Sequence, residues 1–172
     1  MRIAVTGSKG LVGIALVKRL KQQGNEVTEC TKDNCNVLDL EKLKLALSDS
    51  KIVVHLAAQL NEDAKDLIAV NVKGTENVLE ACAANGIEQV IFTSTVGVYG
   101  LARGLKTEAT VPSPETNYEK SKLEAEKRVL SYQEVFQITI LRPAIVLGRN
   151  EYWKKIIRLI SKGFPLIGNG GN

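Results

Sequence analysis

Five short runs rich in β-branched residues, at 2–6, 26–30, 51–57, 89–95 and 138–142, alternate with stretches whose apolar residues recur at helical spacing. This alternation constrains the fold more than any other feature. Strands separated by helix-length segments pair in parallel, and each parallel pair needs a crossover. The run from Lys51 to Ala57 is continuously apolar at its centre, as a strand covered on both faces requires. The first helix follows from Leu11, Ile14, Ala15, Val17 and Leu20, with Lys18, Arg19 and Lys21 in its last turns and Gly24 as its stop. Asp39 is placed to N-cap a helix through Leu47. Further helices are expected over 63–84, stopped by Asn85-Gly86, over 118–133 and over 152–162. Gly100, Gly104, Pro112 and Pro114 mark 100–117 as loop.

Only five residues separate the second strand from Asn36, whereas a parallel crossover needs roughly ten to twelve. No crossover helix fits there. The spacing predicts an α/β fold of Rossmann-like, doubly wound type: a parallel sheet of five main strands in the order 2-1-3-4-5, helices on both faces, and a switch point between the first and third strands.

Composition narrows the function classes. The 172 residues suit one domain, and 23 basic against 19 acidic residues give a formal charge of +4 with no block of five like charges. The aromatic residues, Tyr 4, Phe 3 and Trp 1, do not interleave with basic runs, which argues against nucleic-acid binding. No apolar stretch approaches the roughly 18 residues of a membrane span. The chain enters Ile3-Ala4-Val5 with no signal region, so the reading is a cytoplasmic protein with no membrane association. Three cysteines, Cys30, Cys35 and Cys82, do not make a disulfide framework, and a single histidine, His55, is poor material for a metal site; none is expected.

Thr6-Gly7-Ser8-Lys9-Gly10-Leu11-Val12-Gly13 joins the first strand to the first helix. Gly7 permits the tight turn, Gly10 lets a pyrophosphate approach the backbone, and Gly13 lets the helix pack closely. The helix N-terminus offers unpaired N–H groups and a positive dipole end to phosphates. About 20 residues on, where a carboxylate would take a ribose hydroxyl, the chain has Thr31-Lys32, and Asp33 comes late. Lys9 and Lys32 suit a 2′-phosphate, so the cofactor reading is NADP or NAD with a slight lean to NADP. Tyr118 and Lys122 stand four apart at the start of a helix and share a face. An ammonium beside a phenol lowers the phenol's pKa and readies it for proton transfer. His55, on a buried strand, reads as a satisfied core histidine.

These residues resemble the extended short-chain dehydrogenase/reductase family, the NAD-dependent epimerase/dehydratase type. The resemblance is carried by the glycine turn, by 53–58, by Asn71-Val72-Lys73-Gly74-Thr75-Glu76-Asn77-Val78, by Phe92-Thr93-Ser94-Thr95-Val96-Gly97-Val98-Tyr99-Gly100, by Tyr118 with Lys122, and by Leu141-Arg142-Pro143. It implies Tyr118 as general acid/base, Lys122 as its partner and a ribose contact, and Thr95 as the hydroxyl that aligns the reacting oxygen. It further implies Leu11 and Val12 along the pyrophosphate, and Asn36 and Val37 beside the adenine, with Asn36 replacing a more usual aspartate. Leu56, Ala57 and Ala58 would pass the ribose, Asn71 would brace the central strands, and Pro143 would face the nicotinamide.

The chain departs from the family pattern at several places. Val96-Gly97 stand where dehydratases have Asp-Glu, which disfavours dehydration. Ile145 stands where nucleotide-sugar members have Asn. The short connection after the second strand resembles the sugar-nucleotide reductase branch. The stretch 163–172 resembles the interior of family sequences, so 1–150 reads as the dinucleotide-binding domain and 151–172 as the start of a truncated substrate-binding region. The expected activity is NAD(P)-dependent epimerisation or reduction of a nucleotide sugar. Reduction of a hydrophobic ketone or aldehyde is the alternative, and a non-catalytic dinucleotide sensor is a third reading. The partner is a small-molecule substrate, and a homodimer of the full-length protein stays open.

Overall fold

A computed structural model describes residues 1–101, 104–148 and 151–162. The strands are β1 (Arg2–Thr6), β2 (Glu26–Cys30), β3 (Ile52–His55), β4 (Gln89–Thr93) and β5 (Gln137–Leu141). The helices are α1 (Leu11–Gln22), α2 (Leu40–Leu47), α3 (Gly74–Ala84), α4 (Asn117–Leu130) and α5 (Glu151–Ser161). The strands form one parallel sheet in the order β2-β1-β3-β4-β5, the expected topology.

Alternate residues of each strand feed opposite faces of the sheet. Ile3, Val5 and Val54 pack with Val17 of α1 on one face. Ala4, Val53, Val90 and Phe92 pack on the other with Leu43 and Leu47 of α2, Val78 and Cys82 of α3, and Ala125 and Val129 of α4. Helices therefore cover both faces, as the doubly wound reading requires.

Local signals end several helices where expected. Gly24 follows α1 at φ 79°, Gly86 follows α3 at φ 61°, and the Asp39 carboxylate accepts from the Lys42 N–H at the start of α2. The N-terminus of α4 carries a signal not anticipated, a capping box in which Thr116 and Glu119 satisfy each other's backbone N–H groups.

Several boundaries differ from expectation, among them the end of α4, which stops at Leu130 rather than Gln133. β3 and β4 end earlier, at His55 and Thr93; just beyond β3 the Leu56 and Ala57 N–H groups donate to the Thr6 hydroxyl (3.2 Å each). The helix expected from Asp63 begins only at Leu67. Asn61 takes the Asp63 N–H on its side chain (3.1 Å), and this local turn competes with a helical start. The segment then runs through a π-helical stretch, Ala69–Lys73, into α3. Of the expected substrate-region start at 151–172, residues 163–172 lie outside the described part.

Candidate active site

The carboxyl ends of β1 and β3 meet at the switch point. Gly7 turns the chain there at φ 68°, and a Cβ on it would come within 2.8 Å of the Ala57 nitrogen. Gly13 is required by the turn itself: a Cβ there would collide with the carbonyl oxygens of Gly7 and Ser8. The turn is fastened to β2, since the Ser8 N–H and hydroxyl both donate to Cys30 O (3.2 and 3.1 Å). No side chain caps α1, and its first turn holds no acidic residue. Its first N–H groups are therefore left for an acceptor outside the helix.

These elements border a cavity of about 910 Å³. Its wall gathers Gly7, Gly10, Leu11, Val12 and Gly13 from the turn, Thr31, Lys32, Asn36 and Val37 from beyond β2, and Leu56, Ala57 and Ala58 from beyond β3. Thr95, Tyr118, Lys122 and Pro143 close the other side. Residues scattered over most of the described chain thus meet in one place.

Two expected site residues lie elsewhere. Lys9 is outside the wall; its ammonium stands 3.7 Å from the Asp33 carboxylate on a side chain 74% exposed. Flexible, exposed side chains find such partners at little cost. Asn71 is buried behind the wall, where it joins the post-β3 segment to α4. Its side chain accepts from Gln59 N–H (2.7 Å) and donates to Gln59 O (3.0 Å) and the Ser121 hydroxyl (2.9 Å). The π-helical stretch turns Asn71 inward to do this, a common use of such bulges.

Sequence reasoning missed several wall residues: Cys30, Cys35, Gln59, Asp66, Ser94 and Trp153. Ser94 and Gln59 continue runs already singled out, and adjacency would have found them. The Ser94 and Thr93 hydroxyls are buried with no hydrogen-bond partner among the described residues.

Tyr118 and Lys122 share the inner face of α4. Lys122 is 2% exposed, and its ammonium lies 4.2 Å from the centre of the Phe92 ring. Burial pulls Lys122 down to about 7, against the opposing pull of the Glu126 carboxylate. Burial also pushes the Tyr118 phenol above its ordinary value. This corrects the expectation that the ammonium lowers the phenol. Desolvation acts on both groups in the same sense, toward neutrality, and outweighs the mutual effect assumed from spacing alone. Lys122 can therefore exchange a proton near neutral pH.

His55 is a satisfied core histidine, as expected. Nδ1 lies 2.6 Å from the Thr6 hydroxyl and Nε2 3.1 Å from that of Thr75, and burial, then Lys122, pulls the ring down to about 3.

Lys122 has a consequence for stability. Its folded pKa, about 7, lies below the unfolded value of about 10.4. Between these the unfolded chain binds more protons, so this group's contribution rises with pH from about 7 and is lost as pH falls back toward 7. Urea midpoints at about pH 7 and about pH 9 should rise more for the native chain than for Lys122→Met. Equal pH dependence in both would refute the burial effect.

Residues 3–169 match the NAD dependent epimerase/dehydratase family, and the chain belongs to it. The chain is 32% identical to N-acetyl-alpha-D-glucosaminyl-diphospho-ditrans,octacis-undecaprenol 4-epimerase of Escherichia coli O157:H7, over 99% of this chain and 57% of that protein. Among solved structures it is similar to a dTDP-4-dehydrorhamnose reductase from Clostridium acetobutylicum, with a TM-score of 0.83 at 26% identity, over 94% of this chain and 60% of the other. It also resembles the Thermus thermophilus UDP-glucose 4-epimerase complex with NAD, with a TM-score of 0.80 at 26% identity, over 96% and 64%. The chain thus spans about 57% of the length of the Escherichia coli relative. No helix among the described residues is long and apolar enough to cross a membrane.

Proposed function

We propose that this chain carries the dinucleotide-binding domain of an NAD(P)-dependent epimerase or reductase acting on a nucleotide sugar. One observation carries the reading: the uncapped N-terminus of α1 and the side chains of Thr95, Tyr118 and Lys122 border the same cavity. The relatives add the nucleotide-sugar class, through the Thermus UDP-glucose 4-epimerase and the Clostridium reductase.

The residues present fit a nicotinamide dinucleotide. The free N–H groups of α1 suit a pyrophosphate, and Thr31, Lys32, Asn36 and Val37 would hold the adenosine end. Leu56, Ala57 and Ala58 would line its path, with Pro143 at the far end beside Lys122. When bound, the nicotinamide supplies or takes up a hydride. Tyr118 would give or take the proton at the substrate oxygen, Thr95 would align that oxygen, and Lys122 would hold a ribose and exchange the proton with Tyr118. Asn71, through Ser121, would keep the start of α4 in place.

The apolar Ile145 and Val146 in the cavity wall favour a second reading, reduction of a hydrophobic ketone or aldehyde. The sensor reading is disfavoured, since Tyr118 and Lys122 are both present and both at the cavity.

Calorimetry with NAD+ and NADP+ tests the cofactor assignment. At least one should bind, and no heat from either at millimolar concentration would remove it. With Lys9 turned to Asp33, only Lys32 of the two lysines remains for a 2′-phosphate. Lys32→Ala should weaken NADP+ by about fivefold to tenfold and leave NAD+ nearly unchanged. Equal losses for both would place Lys32 away from that phosphate.

A further inference from the structure

Asp66 is the only carboxylate in the cavity wall among the described residues, and the proton chemistry leaves it unused. It is half-buried, just ahead of the helical stretch that carries Asn71. One of its oxygens accepts from the Gln59 side-chain amide (3.0 Å). Gln59 is itself fixed. Its side-chain oxygen accepts from Asn61 N–H (3.1 Å), and its backbone N–H and carbonyl are both bound to the Asn71 side chain. No hydrogen bond or ion pair among the described residues engages the other Asp66 oxygen.

The chain leads from Asp66 to the end of the cavity assigned to adenosine. Val70 N–H donates to Asp66 O (2.8 Å), so Val70 stands one turn farther on. Gly74 follows after a second turn and is pressed against Val37: a Cβ on Gly74 would come within 2.6 Å of the Val37 side chain. The Asn77 amide holds Val37 from the same helix by donating to its carbonyl (3.0 Å). Val70 packs against the apolar cluster that contains Val37, and both line the cavity, which makes an apolar seat for a flat ring. Asn36, beside Val37, has its side-chain oxygen taken by Leu38 N–H (3.0 Å), which leaves its amide to donate.

We propose that Asp66 reads the base of the dinucleotide, its open oxygen accepting a hydrogen bond from the exocyclic amine of adenine. The assignment rests on the cofactor reading above and deepens it. An ionised carboxylate accepts and never donates, and the adenine amine is a donor. A purine with a carbonyl at that position would set acceptor against acceptor and leave both unpaired. A carboxylate repels phosphates, and those have the free N–H groups of α1 and Lys32. The ribose place at the end of β2 is held by Thr31 and Lys32. The base is the neutral donor that remains at the seat formed by Val37 and Val70.

Calorimetry tests this by comparing NAD+ with nicotinamide hypoxanthine dinucleotide, in which a carbonyl replaces the adenine amine while the phosphates and riboses are unchanged. The native chain should bind NAD+ about tenfold more tightly than the analogue. In Asp66→Asn, which keeps the side-chain shape and offers a donor as well as an acceptor, the preference should shrink to about twofold or less. If NADP+ is the form that binds, the same comparison is made with both bases as their 2′-phosphates. Equal affinity of the native chain for the two bases would overturn the assignment, and this arm needs no variant to fold. A native preference that survives intact in Asp66→Asn, with both ligands weakened alike, would also overturn it and place the carboxylate on a ribose or in the fold. Absence of any binding of NAD+ or NADP+ to the native chain would instead strike the cofactor reading, and the base assignment would fall with it.

Discussion

Tyr118→Phe should lower turnover of the whole enzyme by about two to four orders of magnitude, the usual contribution of a positioned acid/base group. The substitution keeps the ring and removes only the hydroxyl. Tyr118 opens α4 beside Thr116 and Glu119, whose reciprocal capping does not involve the phenol, so the helix should start as before. Cofactor affinity should therefore hold while the rate falls. Lys122→Met should reduce both, because Lys122 would serve the proton and the ribose. The measurement is steady-state turnover on a panel of sugar nucleotides, paired with calorimetry of the dinucleotide. A Tyr118→Phe enzyme with near-normal turnover would remove Tyr118 from the chemistry.

Arg142→Met should cost about 3 kcal/mol of folding stability, near the low end for breaking a buried pair from one side. The Arg142 guanidinium grips Glu126 with two bonds, of 2.9 and 2.6 Å, and the Glu126 side chain is only 2% exposed. Removing the cation leaves that carboxylate buried and uncompensated. Arg142 also donates to the Tyr99 hydroxyl and lies over its ring at 4.9 Å. It thus ties α4, which carries Tyr118 and Lys122, to the short helical turn Val96–Tyr99 that Thr95 caps. Urea unfolding measures the loss. The double variant Glu126→Leu with Arg142→Met should recover part of it, because the stranded charge is gone. A double variant no more stable than Arg142→Met alone would argue that packing, not the stranded charge, sets the cost.

The Asp33–Lys9 contact and the wall position of Lys32 separate two lysines that the sequence reading pairs. Lys9 lies within the phosphate turn and Lys32 just beyond β2, but only Lys32 lines the cavity. Chain proximity limits where a long side chain can reach and does not choose its direction.

The sequence by itself determined the parallel architecture, the strand order and most helix ends, because these depend on short-range patterns. Apolar alternation, the length of each connection, a glycine at positive φ and an N-cap carboxylate act within a few residues. It also pointed to most of the residues that gather, Lys9 and Asn71 excepted, since the turn after β1, the ends of β3 and β4 and the start of α4 must all point to the carboxyl edge of a parallel sheet. Only the tertiary structure decided their chemistry. The downward shift of Lys122 and the upward shift of Tyr118 come from burial within the packed fold. The bond from Asn71 to Ser121 and the Arg142 clasp on Glu126 and Tyr99 likewise join separate elements. Burial and long-range pairing depend on how the elements pack together, which local spacing does not record.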